Sequence, residues 1–182
     1  MYKFSEFYYS VYFAGIFATT VASFILVPEI TVHGRRSSGI SKRWYLVHYL
    51  LAVLFLLPYS SLFIIHPLRR LVESVVYSWN SRSRFTFLQF AHALIYFAIL
   101  SLYLHDKHIK ALPFIAANIL QAIAHYRVYR LGKREFSHYY TEILLYASVL
   151  YSVPTVPMLL HELYILAFVY VSRANRAWDK SK

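Results

Sequence analysis

The sequence predicts an all-α protein, a polytopic helical membrane bundle. Three observations predict it. First, 59% of the 182 residues are hydrophobic and only 15% are charged, more apolar surface than a water-soluble domain of this size can hide. Second, the apolar residues fall in long uncharged stretches. Third, the Lys and Arg residues gather between and after those stretches, where loops bordering lipid collect them.

The elements follow in order. Phe7–Pro28 and Trp44–Ile65 are each 22 residues without charge, and Phe85–Leu104 is 20. At ~1.5 Å per residue each reaches about 30 Å, the depth of the hydrocarbon layer. Ala111–Tyr126 is shorter, but Lys110 and Arg127 flank it and can snorkel. Four spans are therefore expected, near 7–28, 44–65, 85–104 and 111–126. The first carries Lys3 balanced by Glu6 and no A-x-A cleavage site, so it reads as a retained span and not a signal peptide.

Between the second and third spans, Leu68, Leu71, Val72, Val75, Val76 and Trp79 recur at amphipathic spacing, with Arg69, Arg70, Glu73 and Ser74 opposite. This predicts a helix lying flat in the headgroup layer, anchored by Trp79. The last apolar region, Ile143–Ser172, is interrupted by Pro154 and Pro157. If it crosses once, Lys and Arg divide 9 against 10 between the two sides; if it doubles back they divide 13 against 6. The positive-inside rule selects the hairpin, with both termini cytosolic. A turn at Ser152–Pro157 leaves legs of roughly 14 and 23 Å, a re-entrant wedge.

The net charge of +11 is accounted for by basic loops beside lipid, and no nucleic-acid partner is expected. The absence of cysteine excludes disulfides, thiolate metal sites and lipidated thiols. His105, Asp106, Lys107 and His108, with His33, are the nearest approach to a metal cluster, but a lysine inside the group opposes a cation. No metal or other cofactor is expected. No glycine-rich phosphate loop, G-x-S-x-G elbow or H-E-x-x-H pair occurs, and so no catalytic residue is assigned.

The intramembrane polar residues carry more information. Gln89, His92 and Tyr96 stand at i, i+3, i+7 in the third span, and Asn118, Gln121 and His125 repeat that spacing in the fourth. A short loop joins these spans, so the two stripes are expected to face each other. The bland expectation is interhelical hydrogen bonding; the functional one is a polar cavity for a lipid headgroup or a proton. Glu162, at membrane depth, needs a partner, and His92 or His125 is the expected one, which would dock the hairpin onto these spans.

From about Val47 to Trp178 the order of features resembles the transmembrane protein thirty-three family, multipass proteins of the endoplasmic reticulum and nuclear envelope with fungal pore-membrane members. Leu112–Arg130 (LPFIAANILQAIAHYRVYR) and Glu142–Trp178, with SVPTVPMLL leading to FVYVSRANRAW, carry the resemblance. It implies a non-enzymatic membrane organiser shaping tubules or pores, with the bilayer and a reticulon-type protein as partners. The chain stops near Lys182, without the longer cytosolic extension of some relatives. A second expectation is therefore a partner factor for endoplasmic-reticulum glycan synthesis, of the kind that binds a β-1,6-glucan enzyme. A third is a small lipid-modifying enzyme using His92, His125 and Glu162.

Overall fold

The computed structural model describes residues 2–26, 40–41, 44–59, 61–77, 84–132 and 137–180. Among them are seven α-helices: α1 (Tyr2–Leu26), α2 (Tyr45–Leu56), α3 (Ile65–Val76), α4 (Phe87–Leu104), α5 (Ala111–Tyr129), α6 (Ser137–Ser152) and α7 (Val156–Lys180). Two two-residue strands, β1 (Ile40–Ser41) and β2 (Arg84–Phe85), pair antiparallel. Three helical segments, Ser5–Leu26, Phe87–Leu104 and Val156–Ala174, have the length and apolarity to cross a membrane.

Local chemistry explains the helix ends. Pro58 has no N–H to continue α2, and the chain tightens into 3₁₀ turns at Leu57–Tyr59 and Leu62–Ile64 before α3 begins. The stretch expected as one span, Trp44–Ile65, therefore holds α2 and two 3₁₀ turns, and only its last residue begins α3. Thr86 caps α4: its hydroxyl accepts from the Gln89 N–H at 3.1 Å while Gln89 Oε1 accepts from the Thr86 N–H at 2.9 Å, a reciprocal box. Beyond α5, Gly132 takes φ +65°, where a side chain would be strained.

Pairs of contacts fix the direction of each helix against its neighbour. Phe13 meets His161 and Phe24 meets Tyr170, so α1 and α7 run parallel. Tyr96 meets His161 while His92 meets Tyr164, so α4 runs against α7. His48 lies on Phe90 and Ser61 Oγ donates to Leu104 O at 3.1 Å, making α2 parallel to α4. Glu73 meets His125 and Tyr77 meets Tyr129, making α3 parallel to α5. His125 lies beside His138, and the Lys110 N–H donates to Ser152 Oγ at 3.0 Å, so α6 returns antiparallel to α5. The seven helices thus alternate in direction. One end of the bundle gathers Tyr9, Tyr103, Ser61, Lys110 and Thr155; the other gathers the β pair, Tyr77, Tyr129, His138 and Arg173.

The expected hairpin is present, turning at Val153–Thr155, but its legs are 16 and 25 residues, about 24 and 37 Å. That is too long for a shallow wedge. The helices are held together by a core that includes Phe13, Leu56, Phe63, Leu100, Phe114, Leu145 and Met158, all fully buried.

The amphipathic helix is also present, but turned the other way. Its apolar residues point outward, with Leu68, Val72, Val75 and Val76 between 46% and 71% exposed, while Glu73 and His66 are buried at 5% and 3%. The helix packs against α2 and α5, with its charged face toward them. Trp79, its expected anchor, lies outside the described residues, as does His33.

Candidate functional site: a charged cluster inside the bundle

His66, Arg69, Arg70 and Glu73 stand at i, i+3, i+4 and i+7 on α3, one face of a helix. Pro67 is tolerated in the first turn, where its missing N–H has no intrahelical role. Arg69 bonds Glu73 and Gln121 through its Nη atoms, and its Nε donates to Asn118 Oδ1 at 3.2 Å. Arg70 Nη1 donates to Glu73 Oε2 at 2.6 Å. Its Nε and Nη2 donate to the Tyr49 hydroxyl at 3.2 and 3.0 Å, with the guanidinium 5.1 Å from that ring. Both oxygens of Glu73 are therefore engaged by guanidinium groups, the strongest geometry open to a buried carboxylate.

His125 completes the group from α5. Its Nδ1 lies 2.7 Å from Glu73 Oε2 and 2.7 Å from Arg70 Nη1. The ring nitrogen donates to the carboxylate when it carries a proton and accepts from the guanidinium when it does not. Asn118 is fixed by a second bond, its Nδ2 donating to Phe114 O at 3.0 Å. The cluster thus contains two guanidinium charges against one carboxylate in contact. Glu142 on α6 lies within electrostatic reach of both arginines, but forms no ion pair with them among the described residues. The side chains of Arg69 and Arg70 keep only 14% and 13% of their exposure.

Asn118, Gln121 and His125 do form one polar stripe, but it faces α3, not the third span. The stripes on α4 and α5 do not meet: Gln89 is consumed in the α4 cap, and Tyr96 turns to α7, where its hydroxyl lies 2.6 Å from His161 Nε2. His92 sits against the rings of Tyr96 and Tyr164. A short connecting loop makes two helices antiparallel, but neighbours in sequence need not share the face that matters. Glu162 does not pair with His125, whose Nδ1 is already shared by Glu73 and Arg70. It is 7% exposed, and its Oε2 has no hydrogen-bond partner among the described residues.

Arg69, Arg70 and Glu73, expected opposite the apolar stripe of a helix flat in the headgroup layer, face the neighbouring helices instead. The signal that could have found them was available: polar residues on one helix face, opposite an apolar face, in a protein whose exterior is itself apolar. In such a chain the apolar stripe points out and the charged stripe points in. Among the described residues no three potential metal ligands converge; His105, from the loop group considered for a metal, lies instead 2.5 Å from Leu102 O and against the Tyr59 ring. Comparison with protein families, with characterised proteins and with solved structures yields no match.

Proposed function

We propose that the chain is a multipass membrane protein that binds the acidic group of an amphiphile, a phosphate or a carboxylate, at Arg69 and Arg70. The observation that carries this reading is the inverted α3, with valines facing out and a charged cluster facing in. An apolar face 46–71% exposed is costly in water and favourable in lipid. A buried arginine pair is expensive in a membrane interior and marks a functional site by default. Two guanidinium groups meet one carboxylate in direct contact, and guanidinium forks match phosphate and carboxylate geometry.

In this reading α1, α4, α5, α6 and α7 cross, while α2 and α3, 12 residues each and about 18 Å long, enter as a hairpin and return to the side they left. The connections and tail at the end of α7 then carry 14 Lys and Arg: Arg35, Arg36, Lys42, Arg43, Arg82, Arg84, Arg127, Arg130, Lys133, Arg134, Arg173, Arg176, Lys180 and Lys182. The opposite end carries three: Lys3, Lys107 and Lys110. The positive-inside rule places the α7 end in the cytosol and Met1 on the other side, in place of the shared compartment expected earlier. Endoplasmic reticulum remains the proposed membrane, on the resemblance alone. The cluster, with Glu73 one turn from the end of α3 and His125 one turn from the end of α5, lies nearer that basic end.

A second reading is the membrane organiser or partner scaffold, with a reticulon-type or glycan-synthesis protein beside it. What favours it is that the side chains of the cluster satisfy one another, which needs no ligand. The lipid-modifying enzyme survives only in part, since His125 stands in the cluster while His92 and Glu162 stand elsewhere. The test uses purified full-length protein in a neutral detergent, with melting followed as phosphatidic acid, phosphatidylcholine or inorganic phosphate is added. A ligand at 100 times its Kd stabilises by about 2.7 kcal/mol. Stabilisation by phosphatidic acid, abolished in Arg70→Gln, is expected; inorganic phosphate acting equally would assign the site to a free anion. Equal response to phosphatidic acid and phosphatidylcholine, with none to phosphate, overturns the anion site.

A further inference from the structure

Arg69 and Arg70 are not equally committed inside the cluster. A guanidinium offers five N–H donors and no acceptor. Arg69 gives Nε to Asn118 Oδ1, shares Nη2 between Gln121 Oε1 and His66 Nδ1, and turns Nη1 on Glu73 Oε1 with His125 Nδ1 at 3.5 Å. Each of its N–H groups has an acceptor, and Asn118 is itself pinned to Phe114 O. Arg70 differs. Its Nη1 meets Glu73 Oε2 and His125 Nδ1, but Nε and Nη2 both close on a single oxygen, the Tyr49 hydroxyl. One N–H of Nη2 is left without an acceptor among the described residues.

Tyr49 leaves a second donor open. Its oxygen receives two N–H groups, so its own proton points away from both, and it donates to no acceptor among the described residues. Tyr49 is buried at 6% exposure, and its ring stands edge-on to Phe97 at 5.2 Å, which holds the hydroxyl in place. A buried donor normally finds an acceptor. Two bonds from a guanidinium into the oxygen also strengthen the O–H as a donor.

We infer that the anion seat lies at the Arg70–Tyr49 pair, between α2 and α3, and that the Tyr49 hydroxyl donates to the bound oxyanion. The inference rests on the anion reading above and narrows it, leaving Arg69 as a positioning residue that ties Glu73 to Asn118 and Gln121. The open N–H and the open O–H belong to atoms 3.0 Å apart, and a phosphate or carboxylate brings more than one oxygen to meet them. The depth suits a headgroup. Tyr49 stands one turn from Tyr45, the first residue of α2, about 6 Å in from the end where the basic connections gather. The Arg70 side chain that it bonds keeps 13% exposure, so the pair is not sealed.

The test is carbon NMR of full-length protein in neutral detergent, with tyrosines labelled at Cζ and the Tyr49 signal assigned by its loss in Tyr49→Phe. Phosphatidic acid is expected to shift that signal and phosphatidylcholine to leave it in place. An equal shift with inorganic phosphate supports the seat and assigns it to a free anion. In melting titrations Tyr49→Phe is expected to weaken phosphatidic acid binding by about 10- to 150-fold, the weight of one hydrogen bond to a charged group. Arg70→Gln is expected to cost more binding than Arg69→Gln. A Tyr49 signal that phosphatidic acid leaves unshifted, or wild-type affinity in Tyr49→Phe, overturns the seat; the anion reading still stands if phosphatidic acid stabilises the wild type more than phosphatidylcholine does. No such preference in the wild type overturns both. Where Tyr49→Phe does not fold, the arginine variants decide, and a loss in Arg69→Gln as large as that in Arg70→Gln overturns the seat.

Discussion

Replacing Glu73 with Gln removes the one carboxylate in contact with both arginines and changes little in shape. Glu73 is 5% exposed, and the Arg69 and Arg70 side chains keep 14% and 13% of theirs, so neither guanidinium can recover its lost partner from solvent. Breaking a buried pair by removing one member costs about 3–5 kcal/mol. The lower figure applies here, because an amide can still accept one bond and the arginines retain a little exposure. If instead the cluster were ordinary interhelical hydrogen bonding, the loss would be near 0.6 kcal/mol. For a chain of this length about 1 kcal/mol moves Tm by 2–4 °C. The charge reading thus predicts a fall of about 6–12 °C and the hydrogen-bond reading about 1–2 °C, well separated in a thermal unfolding assay in detergent. Arg70→Met placed on Glu73→Gln should recover part of the loss, since the double variant no longer buries an unpaired charge. A fall of only about 1–2 °C in Glu73→Gln would refute the reasoning.

Further predictions follow from the fold. Leu68→Asp puts a carboxylate on the outward face of α3, away from its cytosolic end, and should cost about 2.5–3.5 kcal/mol of insertion if that face meets the bilayer core; in an insertion assay, a result equal to wild type removes the lipid-facing assignment. Tags at Met1 and Lys182 in sealed microsomes should be protease-accessible on opposite sides, and accessibility on the same side would refute an odd number of crossings. Glu162→Leu should leave Tm unchanged or raise it, because it removes a buried oxygen that has no partner among the described residues; a fall of several degrees would show a partner at that position. Thr86→Ala breaks the box at the start of α4 and should lower stability by about 1 kcal/mol, read as a 2–4 °C loss of Tm, with Thr86→Ser retaining most of it.

Much was legible without the structure. Long uncharged stretches predict helices, and α1, α4 and α7 hold segments of membrane-spanning length and apolarity. The two prolines at 154 and 157 mark the turn between α6 and α7, because a residue without an N–H cannot continue the ladder. The amphipathic spacing of α3 and the i, i+3, i+7 stripe of α5 were both visible as periodicities. What periodicity does not carry is direction: a two-faced helix can turn either face inward, and only its neighbours decide.

Here α2 and α5 decided it. Their Tyr49, Asn118, Gln121 and His125 supply the acceptors that two arginines need, so the charged face of α3 turns in and its valines turn out. The same dependence on partners separated the stripes of α4 and α5 and left Glu162 away from His125. Helix existence is set by local backbone bonding, which the sequence determines residue by residue. Which helix faces which is set by satisfying buried charge across distant segments, and that only the assembled bundle settles.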